Sequence, residues 1–164
     1  MRKITFLSLL FFCSAVFWNC QNKNEDTPSP SNPMNPNNPA SEFVAQDADF
    51  AGFKNWTKYA ELASAMSDDG RAHGNSSRIM WVKQANAVRG ANGQYPVGTI
   101  FVKEVQNYGI VGMVKRGGTF NAEHQNWEWF YLSLDGKIQS RNASNLCNSC
   151  HLKAKNLDYV FSKP

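Results

Sequence analysis

Apolar residues recur at Phe50, Phe53, Trp56, Tyr59, Ala60 and Ala63, the three- and four-residue spacings of one helix face. With Asp47 or Asp49 able to cap its start, this pattern predicts an amphipathic helix over residues 47–66. Residues 67–77 (SDDGRAHGNSS) are polar and glycine-rich and form a loop. A short strand over residues 79–82 and a short helix over residues 84–91 follow. Gly90, Gly93, Pro96 and Gly98 then punctuate a turn. Residues 99–105 (TIFVKEV) have the composition of a strand, and Tyr108-Gly109 turns the chain into residues 110–114 as its hairpin partner. Residues 127–134 (WEWFYLSL) predict a third strong strand, ended by Asp135-Gly136. A helix is expected over residues 143–154, and residues 158–161 pack as a short tail. The elements make an α+β domain: a small, mostly antiparallel sheet with helices at both ends of the chain.

The N-terminus follows a different pattern. Met1-Arg2-Lys3 is basic, and residues 4–18 are apolar apart from Thr5, Ser8 and Ser14. A membrane span needs about 20 apolar residues, so this run reads as a signal peptide over residues 1–19. Cys20 closes it and is the expected lipidation site, although Phe17-Trp18-Asn19 is bulkier than the small residues usual before such a cysteine. Cys13 is a weaker alternative, and plain secretion or an uncleaved anchor are the other outcomes. Residues 20–41 are rich in Asn, Pro and Ser and carry almost no apolar side chains. Such a chain cannot offset the entropy of its own ordering and forms a disordered tether. The folded domain is then residues 42–164. These features predict an exported protein, a periplasmic or outer-membrane lipoprotein held to the membrane through its N-terminal lipid. The formal charge of +4 falls to +2 once Arg2 and Lys3 are removed, and no Lys/Arg block forms a patch for nucleic acid.

Cys147-Asn148-Ser149-Cys150-His151 is a C-x-x-C-H motif, the attachment signature of a c-type haem. Cys147 and Cys150 would form thioethers with the haem vinyl groups, and His151 would be the proximal iron ligand. A redox dithiol or a chance pair are the plain alternatives. The other two cysteines are used elsewhere, Cys13 in the signal and Cys20 at the lipid, which leaves no disulfide pair. Haem c is attached outside the cytoplasm, so export signal and motif support each other. Only thirteen residues follow the motif, none of them Met or His, so any sixth ligand must come from upstream. The helical-bundle cytochromes c′ also carry the motif near the C-terminus, but they lack strands such as TIFVKEV and WEWFYLSL.

Pro96-Val97-Gly98-Thr99-Ile100-Phe101-Val102-Lys103-Glu104, Met113-Val114-Lys115, Asn126-Trp127, the C-x-x-C-H motif and Asp158-Tyr159-Val160-Phe161 occur here in order. Together they resemble the cytochrome P-460 family, which includes the cytochromes c′-beta, over residues 43–162. The resemblance implies a mostly antiparallel β fold, often a homodimer, around one five-coordinate haem c with an open distal face. Lys103 matches the lysine that hydroxylamine-oxidising members bond to a haem meso carbon. Arg78 matches an arginine near the haem pocket. Those members also use a distal carboxylate shortly before the haem cysteines as proton acceptor. Here residues 140–145 (SRNASN) contain no acid, and Asn142 stands where the resemblance implies that carboxylate.

Each candidate side chain also has a plain reading. Strand alternation sets Lys103 on one face with Phe101 and Val105, and a strand lysine is ordinarily solvated. Glu128 becomes a desolvated acid fit for proton transfer if Phe130 and Leu132 share its buried face. It is exposed if Trp127, Trp129 and Tyr131 face inward, which is the ordinary expectation. Glu123 and Glu104 are weaker acids for that role. His73 and His124 lie in polar loops, where solvated histidines are usual, although either could reach the iron as a distal ligand. Met66, Met80 and Met113 read as core, and Phe101, Phe120 and Phe130 as core or an apolar cap over a distal site. Three functions follow. One is an oxidoreductase for hydroxylamine or a related small nitrogen compound, passing electrons to an external acceptor such as a soluble cytochrome. The second is a binder of nitric oxide or carbon monoxide, and the third an electron carrier with an upstream sixth ligand.

Overall fold

The computed structural model describes residues 42–63, 73, 76–142 and 145–161. The signal peptide, Cys20, the tether, Met66 and most of the polar loop fall outside the described residues. The strands are β1 (Thr57–Leu62), β2 (Arg78–Val82), β3 (Ile100–Val105), β4 (Gly109–Lys115), β5 (Trp127–Leu132) and β6 (Ile138–Asn142). One helical turn, α1 (Asp47–Phe50), precedes them, and α2 (Asn145–His151) follows, continued by a 3-10 stretch over Leu152–Leu157. The sheet order is β1-β2-β3-β4-β5-β6, and each strand pairs antiparallel with its sequence neighbours. This is the expected α+β arrangement.

Three local expectations are corrected. The helix over residues 47–66 is a single turn. The Gln46 backbone N–H donates to Asp49 Oδ2 at 2.9 Å, which caps α1. Gly52 then adopts φ 66°, a left-handed conformation that ends the helical path. Beyond a 3-10 turn over Phe53–Asn55, residues 57–62 pair with β2 instead. A bulge between Lys58 and Ala60 turns the Tyr59 ring onto Phe101, with centroids 4.8 Å apart. The helical spacing of Trp56, Tyr59 and Ala63 loses to the hydrogen bonds of a strand edge.

Residues 84–91 form turns rather than a helix. The Gln84 side-chain amide takes the place of a strand here. Its Nε2 donates to the Gly98 carbonyl at 2.7 Å, and its Oε1 accepts from the Ile100 N–H at 3.1 Å. The third correction is β6 (IQSRN), which the pattern did not mark. It is polar because it is a largely exposed edge strand with one partner.

Both faces of the sheet are covered, so β3 and β5 are buried nearly throughout instead of alternating. Phe50 and Phe53 cover one face, packing on Trp81, Ile100, Val102, Val114 and Phe130. The chain after the C-x-x-C-H motif covers the other. There Tyr159 and Val160 pack on Met80, Phe101, Met113, Trp127 and Trp129.

Candidate functional site

The motif lies on α2, where Cys150 and His151 follow Cys147 by three and four residues and so share its helix face. Both cysteines are of intermediate exposure. His151 is 7% exposed, and its ring packs 4.1 Å from Trp129 and 5.1 Å from Phe161. Its Nδ1 lies 2.7 Å from the Tyr159 carbonyl oxygen. A carbonyl only accepts, so Nδ1 carries a proton, and in the neutral ring the lone pair is on Nε2. That is the tautomer of a neutral imidazole ligand, fixed by its outer hydrogen bond.

The Tyr159 carbonyl is aimed by strained backbone. Asp158 (φ 52°) and Tyr159 (φ 64°) are consecutive non-glycine residues in the left-handed region. Asp158 is tied down by Lys115 Nζ at 2.7 and 2.9 Å, Trp127 Nε1 at 3.2 Å and the Tyr95 N–H at 2.7 Å. Burial pushes Lys115 below the usual lysine range, and Asp158 opposes that shift. Asn148, inside the motif, is buried as well. Its Oδ1 accepts from Trp129 Nε1 at 2.9 Å and from Asn121 Nδ2 at 3.0 Å, which fastens α2 to the sheet. Sequence reasoning missed Asn148, Asn121, Lys115 and Asp158 as supports. The one available signal was the Asp-Tyr pair just beyond the motif.

Cys147 and His151 open onto a cavity walled mainly by apolar side chains, Met80, Phe101 and Met113 among them. Lys103 belongs to this wall and is 8% exposed. It pairs with Met80 on one side and Val111 on the other, so strand register fixes the face it occupies. The solvated reading of Lys103 is thereby corrected. Arg78, 3% exposed, stands two residues from Met80 on the same face and donates from Nε and a terminal nitrogen to the Ser76 carbonyl at 3.3 and 3.2 Å. It lines a separate groove with Glu61, Leu62 and Glu104.

Glu128 departs furthest from expectation. It is 2% exposed rather than solvated, because Phe130 and Leu132 share its face and the N-terminal segment covers that face. That face is opposite the cavity: Glu128 pairs with Val114, whereas Trp129 pairs with Met113 in the cavity wall. Its carboxylate is met by Arg141 at 3.3 Å and Arg116 at 3.4 Å. It is an internal ion-pair centre, and the sheet separates it from Lys103. Glu104 also lies on that far face, paired with Lys54 at 2.9 Å, and Glu123 is exposed. Among the described residues, no carboxylate lines the cavity.

The two loop histidines separate. His124 Nδ1 bonds Asn121 Oδ1 at 3.1 Å and its ring packs on Tyr159, a structural placement. His73 lies in the cavity wall, stacked on Tyr108 with centroids 5.2 Å apart. The Tyr108 hydroxyl lies 3.3 Å from that of Tyr131, and this hydrogen bond, with some burial, pushes Tyr108 up to about 12. Phe120 stacks under the Arg116 guanidinium at 4.1 Å, and the Phe130 ring packs on Phe50 at 5.0 Å. Of the three phenylalanines, Phe101 has its ring on the cavity face.

Two thiols on one helix face, an imidazole oriented through Nδ1, and an apolar cavity reached by Cys147 and His151 fit a macrocycle anchored through C-x-x-C-H. No curated protein matches the chain. The family model for Cytochrome P460 matches residues 50–162, from α1 through the C-terminal tail. That span holds the whole sheet, the cavity and the motif, and by it the chain belongs to the cytochrome P460 family of haem cytochromes.

Proposed function

We propose that this chain is an exported mono-haem c-type cytochrome that takes hydroxylamine or a related small nitrogen compound at its iron and oxidises it. Cys147 and Cys150 hold the macrocycle as thioethers, and His151 ligates through Nε2. When bound, the haem supplies an iron that binds a small ligand and relays electrons. The observation that carries the reading is Lys103, buried in the wall of the cavity that Cys147 and His151 share. A lysine held against a porphyrin edge is placed to exchange one Nζ–H and one ring C–H for an N–C bond, the two electrons passing to an oxidant such as peroxide. Phe101, Met80 and Met113 give the site an apolar wall. Electrons lost by hydroxylamine pass to an external acceptor such as a soluble cytochrome, and its protons pass to solvent.

A second reading, capture of nitric oxide or carbon monoxide without turnover, is favoured by one feature. The cavity wall holds no carboxylate among the described residues, and residues 140–145 contain none. Ligand capture needs no proton acceptor, whereas oxidation does. A visible spectrum and a hydroxylamine-dependent acceptor-reduction assay separate the two. A crosslinked enzyme shows a strongly red-shifted main band, and Lys103→Ala restores an ordinary haem c spectrum and abolishes turnover. An ordinary spectrum in the wild type, with no acceptor reduction, assigns the gas-binding reading.

Residues 1–19 act as a signal peptide, Cys20 carries the lipid of a periplasmic or outer-membrane lipoprotein, and residues 20–41 tether the haem domain. The basic start, the apolar run and the Asn/Pro/Ser composition support this placement. A labelled fatty-acid precursor should mark the wild type and leave Cys20→Ala unmarked. Equal labelling of both rejects Cys20.

A further inference from the structure

A row of aromatic side chains leads away from His151. Trp129 lines the cavity and packs on the His151 ring, with centres 4.1 Å apart. Behind it the Trp127 ring is stacked at 6.5 Å, and Tyr95 follows at 6.2 Å. The Tyr95 hydroxyl then meets that of Tyr59 at 2.6 Å. Phe101 fills the inside of this row, its ring 4.8 Å from Tyr59, 5.1 Å from Tyr95 and 6.2 Å from Trp127. Trp129, Trp127 and Tyr95 are buried, whereas Tyr59, on edge strand β1, is partly exposed. Among aromatic side chains, indole and phenol give up an electron most readily. The row therefore joins the cavity to the surface through oxidisable rings, each in contact with the next.

The surroundings suit electron loss along it. Trp127 Nε1 donates to the Asp158 carboxylate at 3.2 Å, which stabilises positive charge on an oxidised indole. The Lys115 ammonium, 5.1 Å from the centre of the same ring, opposes that charge, so it is not trapped there. At the far end, burial and the Tyr95 hydrogen bond push the Tyr59 phenol above its ordinary range. Its proton is held until the ring is oxidised.

We infer that Trp129, Trp127, Tyr95 and Tyr59 form an exit path that carries oxidising equivalents from the haem to the surface. This rests on the haem reading above and adds a second activity to it, the removal of peroxide. Peroxide takes two electrons from the haem centre and, with two protons, leaves as two waters. Each electron is replaced from Trp129, Trp129 is refilled from Trp127, and Trp127 from the Tyr95–Tyr59 pair. The pair releases one phenolic proton to solvent each time. A one-electron donor at the surface, ascorbate or a reduced soluble cytochrome, returns the electron, and solvent returns the proton. One peroxide, two donor electrons and two protons thus become two waters. Without the path, the same equivalents oxidise the thioethers of Met80 and Met113 in the cavity wall.

The test uses full-length ferric holoprotein, with covalent haem verified by mass, mixed with hydrogen peroxide and frozen for EPR. The wild type should give a tyrosyl radical, and a spin trap should label Tyr59 in peptide mass analysis. Tyr59→Phe, which keeps the ring packed on Phe101, should lose the label and leave the resting visible spectrum unchanged. Trp127→Phe keeps a ring in the stack but not an easily oxidised one, and should also lose the label. In both variants sulfoxide at Met80 and Met113 should rise severalfold. A wild type without a tyrosyl radical overturns the inference. So does a radical that survives in Tyr59→Phe with Tyr95→Phe, or one lost instead in Tyr108→Phe with Tyr131→Phe, the pair beside the cavity. Unchanged methionine oxidation in the variants overturns it as well. All of these leave the haem reading standing, whereas a sample without haem overturns both.

Discussion

Lys115 and Asp158 form an ion pair buried to 3% and 1% side-chain exposure, and the carbonyl of the residue after Asp158 holds His151 Nδ1. The pair therefore links β4 to His151 through the backbone of Tyr159. Removing one partner strands the other as a buried charge, at a cost of about 3–5 kcal/mol. Lys115→Met should lower unfolding stability by that amount in denaturant titration. Lys115→Met with Asp158→Asn should recover part of the loss, since a neutral amide leaves no bare charge and its oxygen still accepts from Trp127 Nε1 or the Tyr95 N–H. A single variant as stable as wild type would show the pair to be idle.

Glu128 sits between Arg116 and Arg141 on the far face from the cavity. Glu128→Gln removes the charge that both guanidinium groups face. Both arginines keep some solvent contact, so the expected loss is about 1–3 kcal/mol. The haem spectrum and ligand-binding rates should stay at wild-type values. A change in turnover larger than the change in stability would return Glu128 to the list of proton acceptors.

Gly136 ends β5 in a turn at φ 86°, and a Cβ there would lie 2.7 Å from the Phe50 carbonyl oxygen. That oxygen is backbone and cannot swing away. Gly136→Ala should cost about 2–3 kcal/mol, from the left-handed backbone and the clash together. Gly93→Ala, at φ 75° with open space around it, should cost less. Thermal or chemical denaturation of the two variants ranks them.

Covalent haem attachment is checked most directly by extraction. In acidified organic solvent the haem should stay with the wild-type polypeptide and leave a variant carrying both Cys147→Ser and Cys150→Ser. His151→Ala should keep the thioethers but lose the ordinary axial ligation, because it removes the imidazole proposed as the iron ligand. Haem that extracts from the wild type would reject thioether attachment.

The sequence by itself determined the central strands, because TIFVKEV, its hairpin partner and WEWFYLSL combine β-branched and aromatic residues with clear turn signals. It also determined the helix face that carries Cys147, Cys150 and His151, since spacing alone sets that geometry. Alternation placed Lys103 with Phe101 and Val105. Which face of the sheet was buried, however, was a tertiary matter, and both faces are. For that reason Glu128 could not be read from local pattern: its alternation was legible, but the segment that covers it lies some eighty residues away in the chain. The helical spacing over residues 47–66 misled because β2 offered strand pairing, and β6 stayed hidden because an exposed edge strand needs no apolar residues. The Lys115–Asp158 pair and the aim of the Tyr159 carbonyl join residues far apart in sequence. Only packing of the C-terminal segment onto the sheet brings them together, since long-range contacts carry no periodic signal in the chain.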